Sequence, residues 1–132
     1  MKRVVPILLF FLLFTSCNED TAYLEIVNKV SNVKLENMVF DDYLLSHRSI
    51  LPGESTGKIE LSEHYGGISF PKTGQIQFYM VSGENKVFLK TKESFTLNKD
   101  KHLIIEITNE TEVINPITGA NMRMAIKNTE IE

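Results

Sequence analysis

The 132-residue chain has one cysteine and no tryptophan, and each shortage narrows what the protein can be. A single thiol excludes an intramolecular disulfide, so the folded part must depend on its hydrophobic core. The missing tryptophan removes the largest aromatic platform for binding sugar rings. The 14 basic residues are outnumbered by 17 acidic ones. Without a basic stripe, nucleic acid is not expected as a partner.

The longest apolar run, residues 4–14, is too short to be a permanent membrane span. As a helix it would extend about 16 Å at roughly 1.5 Å per residue. A bilayer core needs about 20 apolar residues. The basic pair Lys2 and Arg3 precedes the run, and the small residues Thr15 and Ser16 follow it. This order of segments predicts a secretory signal peptide.

The segment around Cys17 resembles the acylation site of Bacteroidetes lipoproteins. Phe14 stands where such sites often carry leucine, and Thr15, Ser16 and Cys17 fit the rest of the pattern. The resemblance implies cleavage after residue 16 and acylation of Cys17, including palmitate. Multiple acyl chains would hold the protein permanently in a bilayer, which is the partner that this resemblance implies. Losing Lys2 and Arg3 would change the formal charge from −3 to −5.

The three residues after the cysteine, Asn18, Glu19 and Asp20, resemble the surface-export signal of the same lipoproteins. This resemblance implies an outer-membrane lipoprotein that faces outward, with a periplasm-facing orientation as the alternative. Asp20-Thr21-Ala22 matches the short O-glycosylation pattern of that group, which implies Thr21 as a modification site. We expect residues 1–16 to be the signal, 17–21 a lipidated N-terminus with a short linker, and 22–132 one domain.

Apolar residues alternate with polar ones along most of the chain, as in half-buried strands. Residues 76–81 and 86–91 predict a hairpin around Ser82-Gly83-Glu84-Asn85. In residues 33–40, strict alternation predicts Leu35 and Val39 on one face, with Met38 and Phe40 on the other. Residues 115–132 suit a last strand or a short helix.

The pattern predicts an all-β fold, a single antiparallel β-sandwich of about seven strands, with a small barrel as the alternative. The order of motifs is a strand ending near Val27-Asn28, the turn of residues 51–55, and strands at 76–80 and 87–91. This order resembles small Bacteroidetes lipoproteins of immunoglobulin-like or transthyretin-like fold.

No motif in the sequence selects a catalytic, metal or cofactor site. His47 follows Ser46, but neighbours on a strand point to opposite faces, and no nucleophile elbow surrounds a serine. Asp41 and Asp42 lack the spacing of a calcium loop. We therefore expect a non-enzyme without metal or cofactor. Tyr43, Tyr65 and Phe70 lie in or near predicted loops and form a candidate aromatic binding patch.

These observations favour a non-catalytic binding or interaction module that contacts an unknown envelope protein or glycan. One alternative is a structural subunit of a surface assembly, which contributes an edge strand to its neighbour. Another is a periplasmic inhibitor or immunity-type lipoprotein, whose acidic face would match a basic partner.

Overall fold

A computed structural model describes residues 20–46, 48–63 and 68–123, and these residues form an all-β fold as predicted. Cys17, Asn18, Glu19, His47, Tyr65 and the end of the chain from residue 124 lie outside the described residues. No helix among the described residues has the length and apolar character needed to cross a membrane. The strands are β1 (Thr21–Lys29), β2 (Lys34–Phe40), β3 (Tyr43–Ser46), β4 (Ile59–Ser62), β5 (Lys72–Gly74), β6 (Ile76–Ser82), β7 (Asn85–Thr91), β8 (Phe95–Leu97), β9 (His102–Thr108), β10 (Glu112–Ile114) and β11 (Asn121–Arg123).

The strands build a sandwich from two main sheets. One has the order β4-β1-β9, and the other has the order β11-β10-β7-β6-β2-β3. A small third sheet pairs β5 with β8. The alternation predicts about seven strands, whereas the described residues form eleven. The difference arises because several strands have only three or four residues.

The core lies between the sheets and takes alternate residues from the longer strands. Ala22, Leu24 and Ile26 of β1 are fully buried, as their period of two predicts. Phe40 and Phe78 are the largest fully buried side chains, and they come from β2 and β6 of the facing sheet. Each buried side chain of this size stabilises the fold by about 1.5–3 kcal/mol relative to leaving it in water.

A β-bulge in β2 makes the predicted facing of its side chains wrong. Leu35, Met38 and Phe40 are all buried on one face, and Val39 is only half-buried. The pairing register with β6 shifts between Glu36 and Val39, and Asn37 has a φ of +50°. Because the bulge inserts an extra residue, the side chains after it change face.

The predicted hairpin is confirmed as β6 and β7, which pair from Gln77 and Lys90 up to Ser82 and Asn85. Its two-residue loop starts with Gly83 at a φ of +60°, and a type II′ turn requires a positive φ at this position. At the C-terminal end, β11 pairs with β10, so of the two alternatives for residues 115–132 the strand is found in residues 121–123.

One pairing departs from the antiparallel arrangement, because β1 and β9 are parallel. The pairing aligns Tyr23 with His102 and continues to Lys29 and Thr108. On its other side, β1 pairs antiparallel with β4. Alternation of apolar residues is the same in parallel and antiparallel strands, so the sequence pattern contains no signal for this pair.

Candidate binding surface at the edge strand β9

Strand β9 forms one edge of the three-stranded sheet and is long for an edge strand. It has seven residues, whereas the other edge strands of the two main sheets, β3, β4 and β11, have four, four and three. Proteins commonly protect sheet edges by short strands, bulges, proline or lysine. The residues from His102 to Thr108 contain no proline, lysine or glycine, and the pairing with β1 is regular.

The hydrogen bonds of β9 show which backbone groups point toward the open edge. The N–H of Tyr23 donates to the carbonyl of Lys101 over 2.8 Å. In a parallel ladder, the N–H and carbonyl groups of every second residue point toward the partner strand, here β1. The N–H and carbonyl groups of the residues between them point away from it. The groups that point away belong to His102, Ile104 and Glu106. No described residue provides a backbone partner for them.

The far end of this edge is closed by a side chain. The N–H of Thr108, next in the outward series, donates to the hydroxyl Oγ1 of Thr111 over 2.9 Å. The open stretch therefore ends at Glu106, and it offers three N–H donors and three carbonyl acceptors. We call this stretch, from His102 to Glu106, the β9 edge.

The side chains of the β9 edge place one apolar residue between two polar ones. Ile104 is 51% exposed, as is Leu44 on the edge strand β3 of the other main sheet. The two polar residues lean on β1: Glu106 pairs with Lys29 at 2.9 Å, and His102 Nε2 lies 3.5 Å from a carboxylate oxygen of Glu25. His102 also makes an edge-to-face contact with the Tyr23 ring, with centroids 6.4 Å apart. The apolar side chain is thus left uncovered at the middle of the edge.

A cleft of about 310 Å³ adjoins the C-terminal half of β9, and its lining is acidic. The lining residues are Lys92, Glu93, Phe95, Glu106, Thr108, Glu110, Thr111 and Glu112. Four of them are carboxylates, of which Glu106 pairs with Lys29 at 2.9 Å and Glu112 with Lys92 at 3.9 Å. The cleft therefore has a negative potential that favours cationic groups. Within the described ranges, no group of three or more His, Cys, Asp or Glu side chains is arranged to hold a metal ion.

The predicted aromatic patch is only partly described by the structure. Tyr43 begins β3 and is half-buried. Phe70 is half-buried and packs against the hydrophobic core, and its N–H donates to a carboxylate oxygen of Glu63 over 3.0 Å. Tyr65, the third member, lies outside the described residues. The Phe70 ring serves the core in addition to any binding role.

Of the residues predicted for export and glycosylation, the structure describes Asp20, which directly precedes β1, and Thr21, which begins it. The Asp20 carboxylate binds the Lys99 ammonium at 2.6 Å, and this hydrogen bond lowers the pKa of Asp20. Thr21 is the first residue of β1, pairs with Ser62, and accepts a hydrogen bond from the N–H of Asp100. The described fold therefore includes Asp20, which lies three residues after Cys17 in the sequence.

Sequence reasoning missed the β9 edge, although one signal for it exists. Leu103, Ile105 and Ile107 form the inward series of β9, and Ile104 is an isoleucine in the opposite phase. A single exposed apolar side chain is common on protein surfaces, so Ile104 becomes a signal only together with the open backbone groups of the same strand. Comparisons with protein-family models, with curated proteins and with solved structures found no match for this chain.

Proposed function

We propose that the chain is a non-catalytic interaction module, held at the outer membrane through acylated Cys17 and facing the cell exterior, that binds a protein partner by strand addition at the β9 edge. The β9 edge carries this proposal. An extended segment that pairs with β9 satisfies its outward N–H and carbonyl groups, and this type of recognition gains affinity from main-chain hydrogen bonds. Ile104 supplies an apolar contact at the centre of the paired segment.

The short linker before β1 is consistent with a membrane-anchored domain. Three peptide steps separate Cys17 from Asp20, which allows at most about 10–11 Å at 3.3–3.6 Å per residue. Asp20 is itself fixed, because its carbonyl accepts a hydrogen bond from the N–H of Glu63 and its carboxylate binds Lys99. The domain would therefore remain within about one linker length of the lipid.

Mass spectrometry of the mature N-terminus tests the anchor. We expect the chain to begin at a triacylated or diacylated Cys17, and Cys17→Ser to abolish both acylation and membrane retention. Ser16→Ala is the matched control, since it keeps a small residue before the cysteine and should leave acylation intact. Protease treatment of intact cells should remove the domain. An unmodified thiol at Cys17 would refute the anchor, and a domain that survives proteolysis would refute surface display.

Photo-crosslinking tests the edge. A benzophenone side chain at position 104, in intact cells, should capture a protein partner. The same group at position 117 is the control, because Ile117 is 82% exposed and lies outside the strands. Equal capture at both positions, or none at either, would contradict strand addition at β9.

A periplasmic inhibitor that faces a basic partner is the second candidate, and the acidic cleft favours it. Its carboxylates would pair with lysine or arginine side chains of the partner and would speed association at low ionic strength. This reading predicts a domain protected from external protease. It also predicts that Glu93→Gln with Glu110→Gln weakens partner capture, with an effect that shrinks at high salt.

A further inference from the structure

We infer that the strand bound by the β9 edge is β9 of a second copy of this chain, paired antiparallel and centred on Ile104. The inference rests on the strand addition proposed above and names its partner. The outward hydrogen-bonding groups of the edge, the side chains that this register brings together and the mismatches in the neighbouring registers all favour this pairing.

In this register, the outward N–H groups of each copy face outward carbonyl groups of the other copy. Centring the pair on Ile104 places Ile104 opposite Ile104 of the second copy, and His102 opposite Glu106. All three residues have their N–H and carbonyl groups directed outward, so each facing pair exchanges two hydrogen bonds. The ladder ends where Thr111 already binds the N–H of Thr108.

The side chains are also complementary. The two Ile104 side chains, each 51% exposed in one copy, cover each other across the two-fold axis. The imidazole of His102 faces the carboxylate of Glu106, a donor opposite an acceptor. Because Glu106 binds Lys29 and His102 contacts Glu25 within each copy, the pairing joins these contacts into one row across both copies.

Neighbouring registers are less favourable. Moving the centre by one residue toward the N-terminus makes Glu106 face Asp100, which brings two acidic side chains together. Moving it one residue the other way makes His102 face Thr108, whose N–H is occupied. Centring the pair on Glu106 places its carboxylate opposite the carboxylate of Glu106 in the second copy. Like charges directly opposite each other destabilise a strand pair.

Two copies in this arrangement can share one membrane. Since β1 is parallel to β9, the starts of the two β1 strands lie at opposite ends of the joined sheet. Ile104 aligns with Glu25, four residues after Thr21, so each start lies about 13 Å along the strand from the centre. The strands would run along the membrane surface, and each linker would reach the same bilayer. Confinement to a surface raises the effective concentration of the two edges.

Cysteine crosslinking in the acylated full-length protein, in its own envelope, tests the pairing. A short bis-maleimide joins facing residues, which are about 5.5 Å apart between Cα atoms, but not positions four residues apart along a strand. Ile104→Cys should give a band of twice the monomer mass. Ile117→Cys and the unaltered chain are the controls, and they should remain monomeric.

A mixed experiment tests the register. His102→Cys and Glu106→Cys should each remain monomeric when expressed alone, because each faces a residue without a thiol. Co-expression of the two variants should give the dimer. Crosslinking of Ile104→Cys no stronger than that of Ile117→Cys would overturn the inference, with an unchanged urea-denaturation midpoint of the purified variant confirming that it is folded. Equal crosslinking of the single variants and the mixture would overturn this register.

The outcomes also separate this inference from the proposed function. If a photo-crosslinker at position 104 captures a different protein and Ile104→Cys gives no dimer, strand addition stands and self-pairing is wrong. If neither experiment captures any protein, both are wrong.

Discussion

Asn28 provides the strongest test of how the sandwich is held together, because it is a fully buried polar residue near the end of β1. Its amide Nδ2 donates to the carbonyls of Val33 and Ile50 over 2.9 and 2.8 Å. Its Oδ1 accepts from the N–H of Val30 over 3.0 Å. One side chain therefore joins β1, the turn before β2, and the segment that bridges to Leu35.

We predict that Asn28→Ala lowers the free energy of unfolding by about 3–5 kcal/mol. The substitution removes three hydrogen bonds, each with a net value of about 0.5–1.5 kcal/mol. It also leaves the Val33 carbonyl and the Val30 N–H without their side-chain partner in the interior, at a cost of about 1–3 kcal/mol for each group that water cannot reach. The Ile50 carbonyl still accepts from the N–H of Leu35. A loss of this size is a large part of the 5–15 kcal/mol that typically separates folded and unfolded states.

Urea denaturation of the two proteins measures this difference. Asn109→Ala is the matched control, because Asn109 makes a similar pair of side-chain contacts with Ser31, at 3.0 and 3.2 Å, in an exposed position. Water can replace those contacts, so the control should lose less than about 1 kcal/mol. A loss for Asn28→Ala no larger than that of the control would refute the reasoning from burial.

Two further substitutions test the packing and the charges. Gly74→Ala should destabilise the fold by about 1–3 kcal/mol in urea denaturation, since a Cβ at this position would lie 2.7 Å from Cβ of Asp41; an unchanged midpoint would contradict this. The lowered pKa of Asp20, caused mainly by its hydrogen bond with Lys99, contributes stability above about pH 4 that is lost as the pH falls through the folded-state pKa. Asp20→Asn should therefore flatten the acid side of the stability curve, and a curve with unchanged slope would show that the pair contributes nothing.

Local patterns predicted most of the strands, because burial on one face imposes a period of two on each of them. Ala22, Leu24 and Ile26 are buried with this period, and Gly83 marks the hairpin turn. The same reasoning failed in β2, where the bulge at Asn37 exchanges the faces. Asparagine tolerates a positive φ, but many asparagines in this chain adopt ordinary conformations, so the residue type alone does not locate a bulge.

Local sequence patterns do not determine the order of the strands in a sheet, and the candidate site depends on that order. Residues 79 positions apart meet in the β1–β9 pair, where Tyr23 aligns with His102. The alternation of apolar and polar residues along β9 would be the same at the edge of the sheet and inside it. Only Ile104, apolar on the polar face, distinguishes β9 from an ordinary half-buried strand.

The polar neighbours of Ile104 support the proposal that β9 is left open for binding. A charge on an edge strand opposes aggregation when it projects into the space that another strand would fill. Glu106 is instead drawn back toward β1 by Lys29, and His102 lies against Tyr23 and Glu25. Both polar side chains are thus turned to their own sheet, and neither obstructs an approaching strand. An edge selected only for solubility would show the opposite arrangement, with lysine or glutamate free at its centre, where this chain has isoleucine.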